Sequence, residues 1–311
     1  MAYVKKRKVK IKKKNFIIFI LCIVLFVFLI FKGITFTYKI ITSPKKEPKV
    51  RETIKIKKEK KKTTKKEKLE KLNNINKKLD YFDDSKIDRY IMYKDSNPDM
   101  ELTQVIKNVN MNLDLTPYED TFPAVNLNTE TILVNKYYYL DKTYEPKNLR
   151  NINNKYALNG MRLVDYAADA FEEMCSAASK EGLTIVSMSA YRSYDYQVNL
   201  YNRYVRMDGE EKADSYSGRP GHSEHQTGLA TDVYNKKENY TNFERTKEFD
   251  WMQEHAHEYG FILRFPKDKE NETGYVYESW HYRYVGVDAA KYIKNNNISF
   301  EEYYATVIDK K

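Results

Sequence analysis

Apolar and polar positions change their rhythm several times along the 311 residues. Phe16 to Phe31 is an unbroken run of sixteen apolar residues, and eight Lys/Arg precede it within residues 1–14. A membrane-spanning helix needs about 20 residues, with about 17 as a lower limit. Ile34 and Phe36 lengthen the run and Lys32 can snorkel, so residues 15–36 reach that length. No small-x-small cleavage site follows, which predicts a retained transmembrane signal anchor. The basic segment 1–14 then stays cytoplasmic and the remainder faces outward from the cell membrane as a single-pass protein.

From residue 43 to 79 the chain is rich in lysine and has no aromatic residue. Such a stretch cannot bury a core and reads as a solvated linker, either a plain tether or a segment lying along anionic lipid or wall polymer. Helix-like pieces such as KKEKLEKL would be wet on every face. Residues 80–127 differ. Ile87–Tyr93 and Leu102–Val109 have helical apolar spacing, Asn97-Pro98 marks a turn, and Thr116-Pro117 and Phe122-Pro123 give an extended run. They predict a small helical arm.

The main domain, 130–311, interleaves both periods. Thr131–Val134 reads as a strand. Val164, Ala167, Ala168, Phe171, Met174, Cys175 and Ala178 recur at helical spacing within Gly160–Glu181, and Gly182 ends the helix. Thr184–Ala190 alternates like a strand, and Ser193 is placed to cap a helix from Asp195 to about Arg206. Residues 208–221 read as loop. Thr246–Tyr259 is a second amphipathic helix stopped by Gly260. Phe261–Phe265 and Tyr275–Val285 are aromatic and β-branched strands, and Val287–Asn295 and Phe300–Val307 are short closing helices. Loops or hairpin-like connections separate the strands, so the expected fold class is α+β, a small antiparallel sheet flanked by helices.

Charge divides the chain in the same place. Residues 1–79 hold 26 Lys/Arg and 5 Asp/Glu, whereas 80–311 hold 28 and 39. A nucleic-acid enzyme carries its positive charge on the folded part; here the folded part is acidic, which argues against a nucleic-acid partner. No obligate protein partner is evident. Cys22 and Cys175 are the only cysteines. One lies in the apolar run and one on a predicted core face, so no disulfide is expected and Cys175 is packing, not a nucleophile.

Two of the five histidines fall in His222–Asp232, HSEHQTGLATD. His225 and Asp232 are candidate ligands of a catalytic zinc, with His281 of ESWHYRYVG as the third. A hydrolytic zinc takes three protein ligands, leaves a position for water and lowers that water's pKa to about 7. Glu278 is then the general base, a carboxylate that is not a ligand. An odd spacing on one straight strand would aim His225 and Asp232 at opposite faces. The chain must therefore turn first, and Gly228 is placed to let it. Glu278 and His281 pose the same problem, which predicts a bulge or kink near Ser279–Trp280. His255 and His257 read as surface residues, because EHAHE is not the H-E-x-x-H pattern. His222 reads as a loop residue near the site.

SAYRSYDYQ (189–197), GHSEHQTGLATDV (221–233), YGFILRFP (259–266) and ESWHYRYVG (278–286) together resemble the VanY-type D-alanyl-D-alanine carboxypeptidases. These are zinc peptidases of the bacterial cell wall that include LD-carboxypeptidase relatives. The resemblance covers roughly 130–311. It implies one Zn2+ per chain at His225, Asp232 and His281, and a catalytic role for Glu278. It also implies that Arg192 stabilises the oxyanion, or failing that serves as a structural ion pair. Ser223 and Gln197 would contact the D-amino-acid end. Phe265 stands where the family commonly has a substrate-contacting Tyr, and Ser279 where it commonly has Pro. The implied reaction is removal of the terminal D-alanine from peptidoglycan stem peptides. The alternatives are LD-carboxypeptidase action on tetrapeptides, dipeptidase action on free D-Ala-D-Ala, or a catalytically silent peptidoglycan-binding module.

Overall fold

A computed structural model of the chain describes residues 78–310 together with 67, 70, 72 and 74. The basic segment 1–14, the apolar run 15–36 and most of the lysine-rich stretch lie outside the described residues. Among the described residues no helix is long and apolar enough to cross a membrane. They fall within one unit, Lys65–Lys311.

The arm forms as the periodicity predicts, with α1 over Ile87–Ser96 and α2 over Leu102–Asn110. Their apolar stripes meet in a small core of Phe82, Tyr90, Ile91, Val105, Ile106 and Val109. Leu72 belongs to that core and is 2% exposed. Leu72, near the end of the lysine-rich stretch, is therefore buried, not solvated as the composition of that stretch predicts.

Thr131–Val134 corrects the sequence expectation. Ile132, Leu133 and Val134 are buried, but they belong to no strand. The Arg283 guanidinium takes up the carbonyls of Glu130 and Ile132 at 3.0 and 2.7 Å, so a side chain replaces a neighbouring strand as their partner. A short hairpin follows, β1 (Leu149–Asn151) with β2 (Arg162–Val164), leading into α3 (Asp165–Lys180). All of the apolar positions spaced for that helix from Ala167 to Ala178 are buried, and Cys175 sits among them with its thiol pushed well up by burial.

β3 (Val186–Ser189) precedes α4 (Tyr194–Asp208), whose N-terminus is capped by Ser193 Oγ accepting from the Tyr196 amide. Residues 208–221 are not all loop. Gly209 adopts φ +83° and restarts the chain as α5 (Glu210–Tyr216), whose first turn carries Glu210 and Glu211 against the helix dipole. Next come β4 (Ala230–Tyr234), α6 (Lys247–His255, capped by Thr246) and β5 (Phe261–Leu263). The run Tyr275–Val285 is a strand only at its end, β6 (His281–Tyr284), because the chain turns at Ser279–Trp280. α7 (Val287–Asn296) and α8 (Phe300–Tyr303) follow.

The central sheet has the order β3-β4-β6-β5 and every pairing is antiparallel, as the α+β expectation requires. Strand alternation gives its two faces different tasks. Val233, Phe261, Leu263, Tyr282 and Tyr284 join the large core built on α3. On the other face Ile262 joins the cluster of α7 and α8, and Asp232 and His281 lie side by side.

Candidate active site

Register places the site. Asp232 on β4 pairs directly with His281 on β6, and on its other side with Ser189 on β3, just past an irregularity at Ser187–Ser189. Three strands thus present Ser189, Asp232 and His281 in one row. His225 reaches the row from outside the sheet. It lies on a 3-10 turn, Glu224–Thr227, that Gly228 ends in the left-handed region at φ +68° before β4 begins. The odd spacing is resolved by the predicted turn. A Cβ at Gly228 would lie 2.8 Å from Leu149 Cδ2 and 3.1 Å from Val164 Cγ2. Gly228→Ala is therefore expected to cost about 1–3 kcal/mol in backbone strain and about as much again in overpacking. A fall in the urea unfolding midpoint checks it.

The other kink also holds. Glu278 O accepts from His281 N at 3.3 Å, which makes a tight turn through Ser279–Trp280 and brings Glu278 to the face of the strand occupied by His281. Glu278 Oε2 lies 3.7 Å from His281 Nδ1. No proline is needed for the turn: the Glu278 amide is anchored on Phe265 O, and Ser279 is itself buried.

His225, Asp232 and His281 converge with one ligand atom each, all within 4.8 Å of one another, and all three are buried. His225 Nδ1 is committed to Ala190 O at 2.7 Å, which turns Nε2 toward Asp232 Oδ2 at 3.4 Å. His281 Nδ1 is 3.1 Å from Asp232 Oδ1. Electrostatics fit a cation at this point. Burial opposes charge on Asp232, yet His225 and Arg192 hold its carboxyl well below the usual range. Burial and the Arg192 charge push His225 down to about 4, keeping it neutral as a ligand must be. The carboxylates of Asp232 and Glu224 beside its ring outweigh burial at His281 and raise it to about 9. Two imidazoles and one carboxylate, with the second nitrogen of His225 fixed by a carbonyl, are a zinc donor set.

Burial, opposed by His281 and Arg192 and reinforced by Asp232, pushes Glu278 up to about 8, the behaviour of a carboxylate suited to proton transfer. Arg192 Nε and Nη2 donate to Ser189 Oγ, and Nη2 also donates to Asp232 Oδ2 at 2.5 Å. It thus makes an ion pair with a candidate metal ligand while lining the cleft.

The cleft over this row holds about 370 Å³, and Arg192, Gln197, Ser223, Phe265 and Glu278 are all in its wall. Gln197 is buried and donates to Gly218 O at 2.7 Å, with its Oε1 unpartnered. The Phe265 ring packs 4.8 Å from the rings of both His281 and Tyr275. His222 also lines the cleft, Nδ1 bonded to Asn135 O at 2.8 Å, a positioning contact. Sequence reasoning missed Tyr240 and Trp280, packed edge to face at 5.0 Å in the cleft wall. It also missed Glu224, which is buried behind His281 and bonded to two arginines. The available signal was a charged residue within each of two apolar runs, FILRF and YRYV.

A family model described as VanY, D-alanyl-D-alanine carboxypeptidase, matches residues 160–287. YodJ of Bacillus subtilis (strain 168) is 42% identical over 189 residues, 58% of this chain and 69% of YodJ. The chain belongs to the VanY family. A D-alanyl-D-alanine carboxypeptidase of Enterococcus faecium is 35% identical over 181 residues, 55% of this chain but only 56% of that protein. Among solved structures, the LdcB LD-carboxypeptidase is similar at 40% identity and a TM-score of 0.57, covering 62% of this chain and 94% of LdcB. The matched span holds every residue of the row and Glu278, so the VanY assignment and the candidate site rest on the same part of the fold.

Proposed function

We propose that this chain is a zinc carboxypeptidase, with one zinc per chain, that removes the terminal D-alanine from peptidoglycan stem peptides. The observation that carries the reading is the buried row of His225, Asp232 and His281 with Glu278 3.7 Å from one of its ligand nitrogens. Family membership and the E. faecium relative support the substrate class. Bound zinc would supply Lewis-acid polarisation of the scissile carbonyl and acidify the attacking water. Glu278 takes the proton from that water and later delivers it to the leaving amine nitrogen, so it is unchanged at the end of the cycle. Arg192 uses Nε and Nη2 for its bonds within the protein, which leaves Nη1 to donate to the carbonyl oxygen as charge builds there. Phe265 in place of a tyrosine takes one hydroxyl from the wall and leaves a ring that seals the back of His281.

Membrane anchorage is part of the same proposal. It is supported by the apolar run Phe16–Phe31 and its lysine flank, and it would place the catalytic unit beside the wall. LD-carboxypeptidase action on tetrapeptides is a second reading, favoured by the likeness to LdcB. A competition separates the two. The full chain is given equal amounts of synthetic stem pentapeptide and tetrapeptide, and product masses are followed. Faster loss of one D-alanine from the pentapeptide is the expected result; faster loss from the tetrapeptide would establish the second reading.

A further inference from the structure

The largest polar structure that the reaction leaves unused lies directly behind the site. Arg264 and Arg283 are fully buried, and so are Glu224 and Glu301. Arg264 binds Glu301 through both terminal nitrogens, at 2.9 and 2.5 Å. Arg264 Nε and Arg283 Nη1 both donate to one oxygen of Glu224, Oε1, at 2.8 and 2.9 Å. Two cations and two anions cancel, so a buried cluster of this size is tolerable. Neutralising the arginines does not account for the second oxygen of Glu224. Oε2 is buried and without a hydrogen-bond partner, and 3.5 Å away lies His281 Nε2, equally buried and equally without one. The opposite ring nitrogen, Nδ1, faces Asp232 and Glu278.

We propose that Glu224 is a positioning residue for the metal site: its Oε2 accepts the Nε2–H of His281, and this fixes the ring with the Nδ1 lone pair aimed into the row. A neutral imidazole carries one N–H, and the hydrogen bond made by one nitrogen sets the role of the other. Here the two orphaned atoms are each other's partners, and a closure of a few tenths of an ångström makes the bond. Arg264 and Arg283 hold the far oxygen so that the carboxylate cannot rotate away. The cluster is thus a mount whose working end is one oxygen atom. Residues that orient a metal ligand in this way contribute about tenfold to a hundredfold in metal affinity.

The inference rests on the proposed metal site, and the test keeps the two separate. Zinc affinity of the full chain is measured by competition with a chromophoric chelator for three proteins: unmodified, Glu224→Gln and Glu301→Gln. The last disturbs the same charge cluster but does not touch His281. A loss of about tenfold or more is expected for Glu224→Gln, with Glu301→Gln close to the unmodified protein. Equal affinities throughout, or equal losses in both variants, would overturn the positioning role. If Glu224→Gln does not fold, nitrogen-15 NMR of the histidine rings in the zinc-loaded unmodified protein decides. A proton on His281 Nε2 is expected, and a proton on Nδ1 overturns the proposal. An unmodified chain that binds no zinc would instead defeat the metal reading itself.

Discussion

Glu278→Gln is expected to lower the rate of D-alanine release by about two to four orders of magnitude while zinc binding is kept. That range is what a positioned acid–base group contributes to proton transfer. The substitution preserves shape and keeps the turn, which depends on the Glu278 backbone accepting from the His281 amide and donating to Phe265 O. It removes only the capacity to take and return a proton. Glu278 is buried, lies 3.7 Å from His281 Nδ1, and is raised to about 8 by burial, so the proton-transfer group lost is the one beside the ligand row. Turnover measured by mass, alongside zinc content of the purified variant, checks the pair of outcomes. Retained activity with the variant would move the base elsewhere.

The second large effect falls on the metal. His281→Ala removes one of the three proposed ligands and the ring against which Phe265 packs. Groups one step removed from a metal contribute about tenfold to a hundredfold in affinity. Loss of a ligand is expected to exceed that, leaving no zinc after dialysis and no hydrolysis. The protein should still fold, because the sheet pairing of β6 is made by its backbone and by Tyr282 and Arg283. Zinc content by atomic spectroscopy and far-UV circular dichroism together test this. An unchanged zinc content would remove His281 from the ligand set.

Much of this site is legible in the chain because local rules govern it. Gly228 between His225 and Asp232 marks a turn because an odd spacing cannot converge on one strand, and the structure puts that glycine at φ +68°. The same logic finds the turn at Ser279–Trp280. Helix α3 follows from six apolar positions, Ala167 to Ala178, and Ser193 announces a helix start through its side chain. Long-range features are harder to read. Nothing local says that Asp232 pairs with His281 and not with a residue two positions away, since register depends on which strands meet. Thr131–Val134 has strand composition, yet its partner is the side chain of Arg283, about 150 residues on. Glu224 and Glu301 each look like an ordinary surface charge until folding brings them to Arg264 and Arg283 and cancels them.

Metal-dependent release of a single D-alanine is ascribed to this one row of residues. The most direct measurement incubates the full chain with a synthetic stem pentapeptide before and after zinc removal by chelation, then after zinc is restored, and follows the peptide mass. Loss of one D-alanine that stops on chelation and returns with zinc is the expected result. Release that continues unchanged without metal, or no release under any condition, would contradict it.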